Sequence, residues 1–158
     1  MQVTMGSASA RQTQKIASVL AGWCVAGDCL MLEGDLGAGK TTFARGFVGA
    51  LCDVEDEVVS PTFTLAQTYP ARSGGTVWHF DLYRLKSPVE LDEIGLEDAL
   101  ASGISLIEWP DLARGRLPAG ALTVQIIHGA TADTRRLTLP GEVVRWRPCF
   151  DALAKERA

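Results

Sequence analysis

The stretch Cys29-Leu30-Met31-Leu32-Glu33-Gly34-Asp35-Leu36-Gly37-Ala38-Gly39-Lys40-Thr41-Thr42-Phe43 decides how this chain is read. It runs from a short apolar segment, Cys29 to Leu32, through a glycine loop into a segment where Phe43, Phe47, Val48 and Leu51 share one helical face. Strand, glycine loop and helix in that order, with Gly34-x-x-x-x-Gly39-Lys40-Thr41 at the junction, match the phosphate-binding P-loop. Glycines let backbone N–H groups turn inward around phosphate oxygens, and the helix N-terminus adds the positive end of its dipole. Lys40 supplies a mobile charge for the terminal phosphates. The Thr41 hydroxyl is the candidate ligand of a Mg²⁺ ion bridging the outer phosphates, and Thr42 is a candidate donor to the innermost one.

Working outward, Ile16, Val19, Leu20, Trp23 and Cys24 recur at helical spacing before Gly27-Asp28 breaks the pattern. After the loop helix comes an acidic turn, Asp53 to Glu57, and then Val58 to Thr64, which Pro61 holds extended. Leu65 to Tyr69 and Val77 to Leu82 are strand-like and joined by a connection too short for a helical crossover, so they pair as an antiparallel hairpin and the sheet is mixed. Ser87-Pro88-Val89-Glu90 is a capping box that starts a helix, Gly95 interrupts it, and Leu96 to Ser102 forms another. Ile104 to Ile107 is a buried strand ending at Glu108-Trp109-Pro110, and the stretch from there to Gly120 reads as loop. Leu122 to Ile127 and Arg136 to Leu139 are further strands, and the tail after Gly141 reads as helical with Pro148 interrupting it. The expected fold is α/β: a P-loop NTPase-like three-layer sandwich with a mixed parallel and antiparallel central sheet, in one domain over residues 1–158.

Composition agrees with this and excludes other classes. With 47% hydrophobic and 22% charged residues in 158, the chain is neither disordered nor membrane-spanning. Fifteen Lys and Arg against nineteen Asp and Glu leave a net charge of −4, which argues against independent nucleic-acid binding. Met1 to Ser9 has neither a signal-peptide nor a transit-peptide pattern, so a cytoplasmic setting is expected. The four cysteines form no CxxC pair and read as reduced, mostly buried thiols.

Three further groups carry candidate chemistry. Glu108 follows a buried strand, where a P-loop protein needs its second metal-side carboxylate, although Asp is the usual residue there. Trp109 beside it reads equally as a packing residue or a ligand contact. Ser60-Pro61-Thr62 stands where nucleotide switches bring a threonine hydroxyl to the outer phosphate. In His79-Phe80-Asp81-Leu82-Tyr83-Arg84, alternation puts His79, Asp81 and Tyr83 on one face, where Asp81 is a candidate to orient or deprotonate an attacking water and Arg84 to stabilise phosphate charge or bind a partner. Taken alone, that alternation describes a half-exposed edge strand with a solvated face slightly better than an active site.

The ordered set GDLGAGKTT from Gly34, SPTFT from Ser60, HFDLYR from His79, SPVELDEIGLED from Ser87 and LIEWP from Leu106 resembles the TsaE family, also called YjeE, over roughly Thr13 to Leu117. The resemblance implies a small bacterial ATPase, with ATP and Mg²⁺ as cofactors, needed to make threonylcarbamoyladenosine beside the anticodon of tRNAs that read codons beginning with A. It implies TsaD and TsaB as partners, with tRNA met indirectly through them, and ATP hydrolysis that resets the complex between turnovers. Residue by residue, Gly37, Ala38, Gly39, Lys40, Thr41 and Thr42 match the family's phosphate loop, and Thr41 and Glu108 its magnesium ligands. Thr62 and Asp81 match residues implicated in hydrolysis alongside Lys40 and Glu108, and Trp109 a tryptophan close to the active site. Adenine contacts match the start of the first helix, Arg11 to Thr13, and the turn Asp133 to Arg135, which marks Thr13 and Arg135.

Two other classes share the P-loop. A small-molecule kinase needs lid arginines, for which Arg114 and Arg116 are the candidates. A GTP switch normally reads guanine through Asn-Lys-x-Asp, and this chain contains no asparagine.

Overall fold

The computed structural model describes residues 2–53, 58, 61–140 and 144–156. Seven strands form one sheet: β1 (Gln2–Ser7), β2 (Cys29–Glu33), β3 (Ala66–Pro70), β4 (Thr76–Asp81), β5 (Ile104–Glu108), β6 (Leu122–His128) and β7 (Arg135–Pro140). Their spatial order is β1-β7-β6-β2-β5-β4-β3. β2 lies parallel to both β5 and β6, and β4 parallel to β5, while β1–β7, β6–β7 and β3–β4 pair antiparallel. The expected hairpin and mixed sheet are therefore present.

Helices cover both faces. On one, α1 (Ala10–Gly22), α2 (Lys40–Leu51) and α5 (Arg147–Glu156) bury Leu20, Phe43, Phe47 and Phe150 against Leu30, Leu32, Leu106 and Val124. On the other, α3 (Glu90–Glu93), α4 (Leu96–Ser102) and a 3₁₀ stretch (Pro110–Arg116) bury Leu91, Leu96 and Ala113 against Phe80 and Ile107. The three-layer sandwich follows from strand alternation: on β4 and β5, Val77, Leu106 and Ile104 feed the first core while Phe80 and Ile107 feed the second.

Several local expectations are corrected. β1 was not legible, because only Met5 and Ser7 on one face are buried and Gly6 dilutes the pattern; it is held as an edge strand by pairing with β7. The segment after Glu108 is not loop, since Pro110 starts a 3₁₀ helix that seats Ala113 in the core. Half of the Ser87 capping box forms, with Glu90 Oε2 accepting from the Ser87 N–H at 3.1 Å; the Ser87 hydroxyl accepts from the Val89 N–H and not from that of Glu90, and the regular helix begins at Glu90 and lasts four residues. Pro148 falls in the first turn of α5, where a missing N–H costs nothing, so it does not interrupt the helix. Thr62 to Thr64 form a turn instead of extended chain. Most of the acidic turn, residues 54–57, lies outside the described residues, as do Val59, Ser60 and 141–143. The cysteines are free thiols, Cys29, Cys52 and Cys149 buried and Cys24 half-buried.

Candidate nucleotide-binding site

The three parallel strands β2, β5 and β4 end along one edge, and the candidate residues follow directly from those ends. β2 gives way to the glycine loop, β4 ends at Asp81 and β5 at Glu108, with Asp81 and Glu108 paired in register and Leu32 opposite Glu108 on the other side. Gly37 and Gly39 take φ of +78° and +110°, conformations that disfavour a side chain. A Cβ on Gly34 would lie 2.5 Å from the Ile126 carbonyl oxygen. Gly39 heads α2 without any side-chain cap, so the first-turn N–H groups face the loop cavity, as anion binding requires.

A cleft of about 320 Å³ is lined by Leu36, Gly37, Gly39, Lys40, Thr41 and Thr42 from the loop and helix, and by Thr62, Asp81, Glu108 and Trp109 around it. Residues far apart in sequence thus meet in one place. Lys40 Nζ donates to the Gly34 and Asp35 carbonyl oxygens, the latter at 3.0 Å, and lies 3.9 Å from the centre of the Trp109 ring. Burial holds the Lys40 ammonium below the usual lysine range, and the Glu108, Asp81 and Asp35 carboxylates partly offset this. Trp109 reaches Lys40 because its backbone is left-handed, φ 55°, which turns the chain sharply off β5; a non-glycine residue there carries about 1–2 kcal/mol of strain. Its indole also packs on Tyr83, with ring centroids 4.8 Å apart.

The two carboxylates are held by different partners. Asp81 Oδ2 accepts from the Thr62 hydroxyl at 3.2 Å and Oδ1 from the Tyr83 N–H at 3.0 Å. Glu108 Oε2 is 2.7 Å from His79 Nε2, with both residues buried. β4 is an interior strand, so the solvated-edge reading of its polar face is wrong: His79 is 0% and Asp81 5% exposed. Alternation did signal that His79 and Asp81 share a face. That this face is covered could come only from the sheet order.

Other residues marked in the sequence sit around the cleft. The Ala38 side chain is in the core and its N–H bonds the Asp35 carbonyl. Arg135 Nε donates to the Ala38 carbonyl at 2.7 Å and Nη2 to that of Gly37 at 3.4 Å, bracing the phosphate loop from behind. Thr13 is buried and bonded to Ser7 Oγ at 2.6 Å. The start of α1 and the β6–β7 turn do come together, forming a groove lined by Ser7, Ala8, Gln12, Thr134 and Arg135 beside the loop. Arg84 stacks on the exposed Phe63 ring, 4.5 Å away, and does not line the cleft. Arg114 pairs with Glu33 and Asp111, and Arg116 with Asp92, so neither supplies a charge to the cleft.

The family model described as "Threonylcarbamoyl adenosine biosynthesis protein TsaE" matches residues 7–137, a span that includes every one of these elements. The chain belongs to the TsaE family. Among relatives of this TsaE-family chain, the tRNA threonylcarbamoyladenosine biosynthesis protein TsaE of Rickettsia conorii is 43% identical over 118 residues, 75% of this chain and 67% of that one. The protein of the same name from Bacillus subtilis is 34% identical over 157 residues, 98% and 95% of the two chains. The crystal structure of Bacillus subtilis YdiB matches with a TM-score of 0.77 and 30% identity, covering 100% of the TsaE-family chain and 97% of its own.

Proposed function

We propose that this chain binds ATP with Mg²⁺ and hydrolyses it as the ATP-using member, beside TsaB and TsaD, of the machinery that forms threonylcarbamoyladenosine next to the anticodon of tRNAs reading A-starting codons. The observation that carries the reading is the meeting of an uncapped helix N-terminus, Lys40, Thr41, Asp81 and Glu108 in one cleft at the carboxyl ends of parallel strands. The residues suit the cofactors. Thr41 and Glu108 offer hard oxygens, and no group of three or more His, Cys, Asp or Glu that could hold a metal occurs among the described residues, so a cation here takes its remaining ligands from phosphate and water, the usual arrangement for Mg²⁺. The groove between α1 and the β6–β7 turn accommodates the base.

When bound, Mg²⁺ neutralises charge on the outer phosphate oxygens. Lys40 exchanges its carbonyl partners for the terminal phosphates and stabilises the charge that develops there. Asp81, fixed by Thr62 and the Tyr83 N–H, orients the attacking water and accepts its proton. Trp109 walls the cleft beside Lys40. Hydrolysis resets the partner complex between turnovers, and the partners hold the tRNA, in keeping with this chain's net charge of −4. The setting is the cytoplasm; no described helix is long and apolar enough to cross a membrane.

Reconstituted tRNA modification with TsaB and TsaD, followed over many rounds, tests this. Modification stalls after the first round without this chain and continues with it and ATP. Sustained turnover in its absence, or rapid ATP hydrolysis indifferent to both partners, would sink the proposal.

A further inference from the structure

We infer that His79 is a positioning residue whose Nε2 fixes the Glu108 carboxylate in the orientation from which it serves a divalent cation beside the nucleotide. This rests on the assignment of Glu108 as a metal-side carboxylate and goes beyond it.

On the face of β4 and β5 that looks toward α2, the side chains run in two rows: Val77, His79, Asp81 and Ile104, Leu106, Glu108. Val77, Ile104 and Leu106 are apolar core. His79 is opposite Leu106 in register, one step below the pair Asp81–Glu108 that reaches the cleft. Packing alone calls for an aliphatic residue at that position, since an imidazole there must be desolvated completely. What it gains is a hydrogen bond, 2.7 Å to Glu108 Oε2, and its other nitrogen, Nδ1, is buried without a hydrogen-bond partner among the described residues.

The contact with Glu108 defines which nitrogen donates. A ring carrying a proton on Nε2 donates to the carboxylate oxygen at 2.7 Å. His79 then occupies Oε2, so that Oε1 is the oxygen available to the cleft. Asp81 accepts from the Thr62 hydroxyl and the Tyr83 N–H, and His79 bonds to Glu108, so each carboxylate has a hydrogen-bond donor of its own. Partners of this kind behind a ligating carboxylate typically change metal affinity by about 10–100-fold.

The test uses the full-length chain with a non-hydrolysable ATP analogue and Mn²⁺, whose affinity is read by electron paramagnetic resonance, beside calorimetric affinity for the same analogue in EDTA. His79→Leu is expected to weaken Mn²⁺ binding by about 10-fold or more, with the metal-free nucleotide affinity unchanged. His79→Gln, which keeps an N–H donor at similar reach, restores most of the loss. Wild-type Mn²⁺ affinity in His79→Leu, no rescue by His79→Gln, or equal loss with and without metal overturns the inference. Glu108→Gln separates the two levels: if it too leaves Mn²⁺ affinity intact, the metal-side assignment itself fails, whereas loss in Glu108→Gln with none in His79→Leu removes only the role of His79. Should His79→Leu not fold, nitrogen-15 NMR of the wild-type histidines decides, with exposed His128 as internal reference. A proton on Nε2 of His79 is expected, and a ring protonated on Nδ1 alone overturns the inference.

Discussion

Gly46 and Gly49 lie one turn apart on α2 and should respond oppositely to the same substitution. Alanine is favoured over glycine inside a helix by about 0.8–1.0 kcal/mol. At Gly49 a Cβ would meet nothing within 4 Å, so Gly49→Ala takes the whole gain. At Gly46 the Cβ would strike the main chain of α1, lying against the Gln14 carbonyl oxygen, 2.5 Å from Gln14 Cα and 2.8 Å from its carbonyl carbon. Ordinary contact begins at 3.4 Å, so the two helices must part by 3.4 − 2.5, or about 1 Å, and a gap of that size forfeits a quarter to a half of each dispersion contact along the seam. Overpacking costs about 1–3 kcal/mol, with the upper end expected because backbone cannot rotate aside; subtracting the helical gain leaves roughly 2 kcal/mol of net destabilisation. For a domain of this size each kcal/mol is about 2–4 °C in Tm, so the two variants should melt about 6–12 °C apart, Gly49→Ala above wild type and Gly46→Ala below. Thermal and urea denaturation by circular dichroism measures this. A Gly46→Ala protein as stable as Gly49→Ala would refute the close backbone approach of α1 and α2.

Other outcomes concern the site and the thiols. Lys40→Ala should abolish ATP binding by calorimetry, because it removes the only lysine or arginine among the described residues that line the cleft; unchanged affinity would refute the P-loop assignment. Asp81→Ala should leave nucleotide affinity near wild type while slowing hydrolysis by about 100-fold or more, the usual scale of a positioned general base; equal loss of both would make Asp81 structural. Burial pushes the Cys29 thiol from 9.0 up to about 12, so in the folded chain it keeps its proton where the unfolded chain has lost it. Its contribution to stability is complete below pH 9 and falls as pH rises towards 12, by about 1.4 kcal/mol per pH unit. Cys29→Ala should flatten the alkaline decline in Tm by that increment, and Cys29 should resist thiol reagents at pH 8 until the protein unfolds. A slope identical to wild type would show that the thiol is not desolvated.

The sequence by itself determined the phosphate loop, because that motif is local: β2, the glycines, Lys40 and α2 are contiguous, and their chemistry depends on backbone angles and on a helix end that neighbouring residues dictate. It also determined the β3–β4 hairpin and the apolar strand leading to Glu108. What it left open was whatever depended on which strands lie side by side. The alternation of His79, Asp81 and Tyr83 is the same on an edge strand and an interior one, and only the placement of β4 between β3 and β5 buries His79 and Asp81 and brings Asp81 to the cleft, while Tyr83, beyond the strand, stays exposed. The hydrogen bond between His79 and Glu108 joins residues on parallel strands separated by two helices, and no spacing encodes it. β1 escaped notice because its stability comes from the β7 ladder and not from its own side chains. Trp109 turned from an ambiguous aromatic into a neighbour of Lys40 through one left-handed backbone position, which a tryptophan adopts only when the surrounding packing holds it there. Local chemistry was written in the chain; the carboxylates' partners and burial came from the sheet order, since burial and charge pairing are properties of neighbours in space.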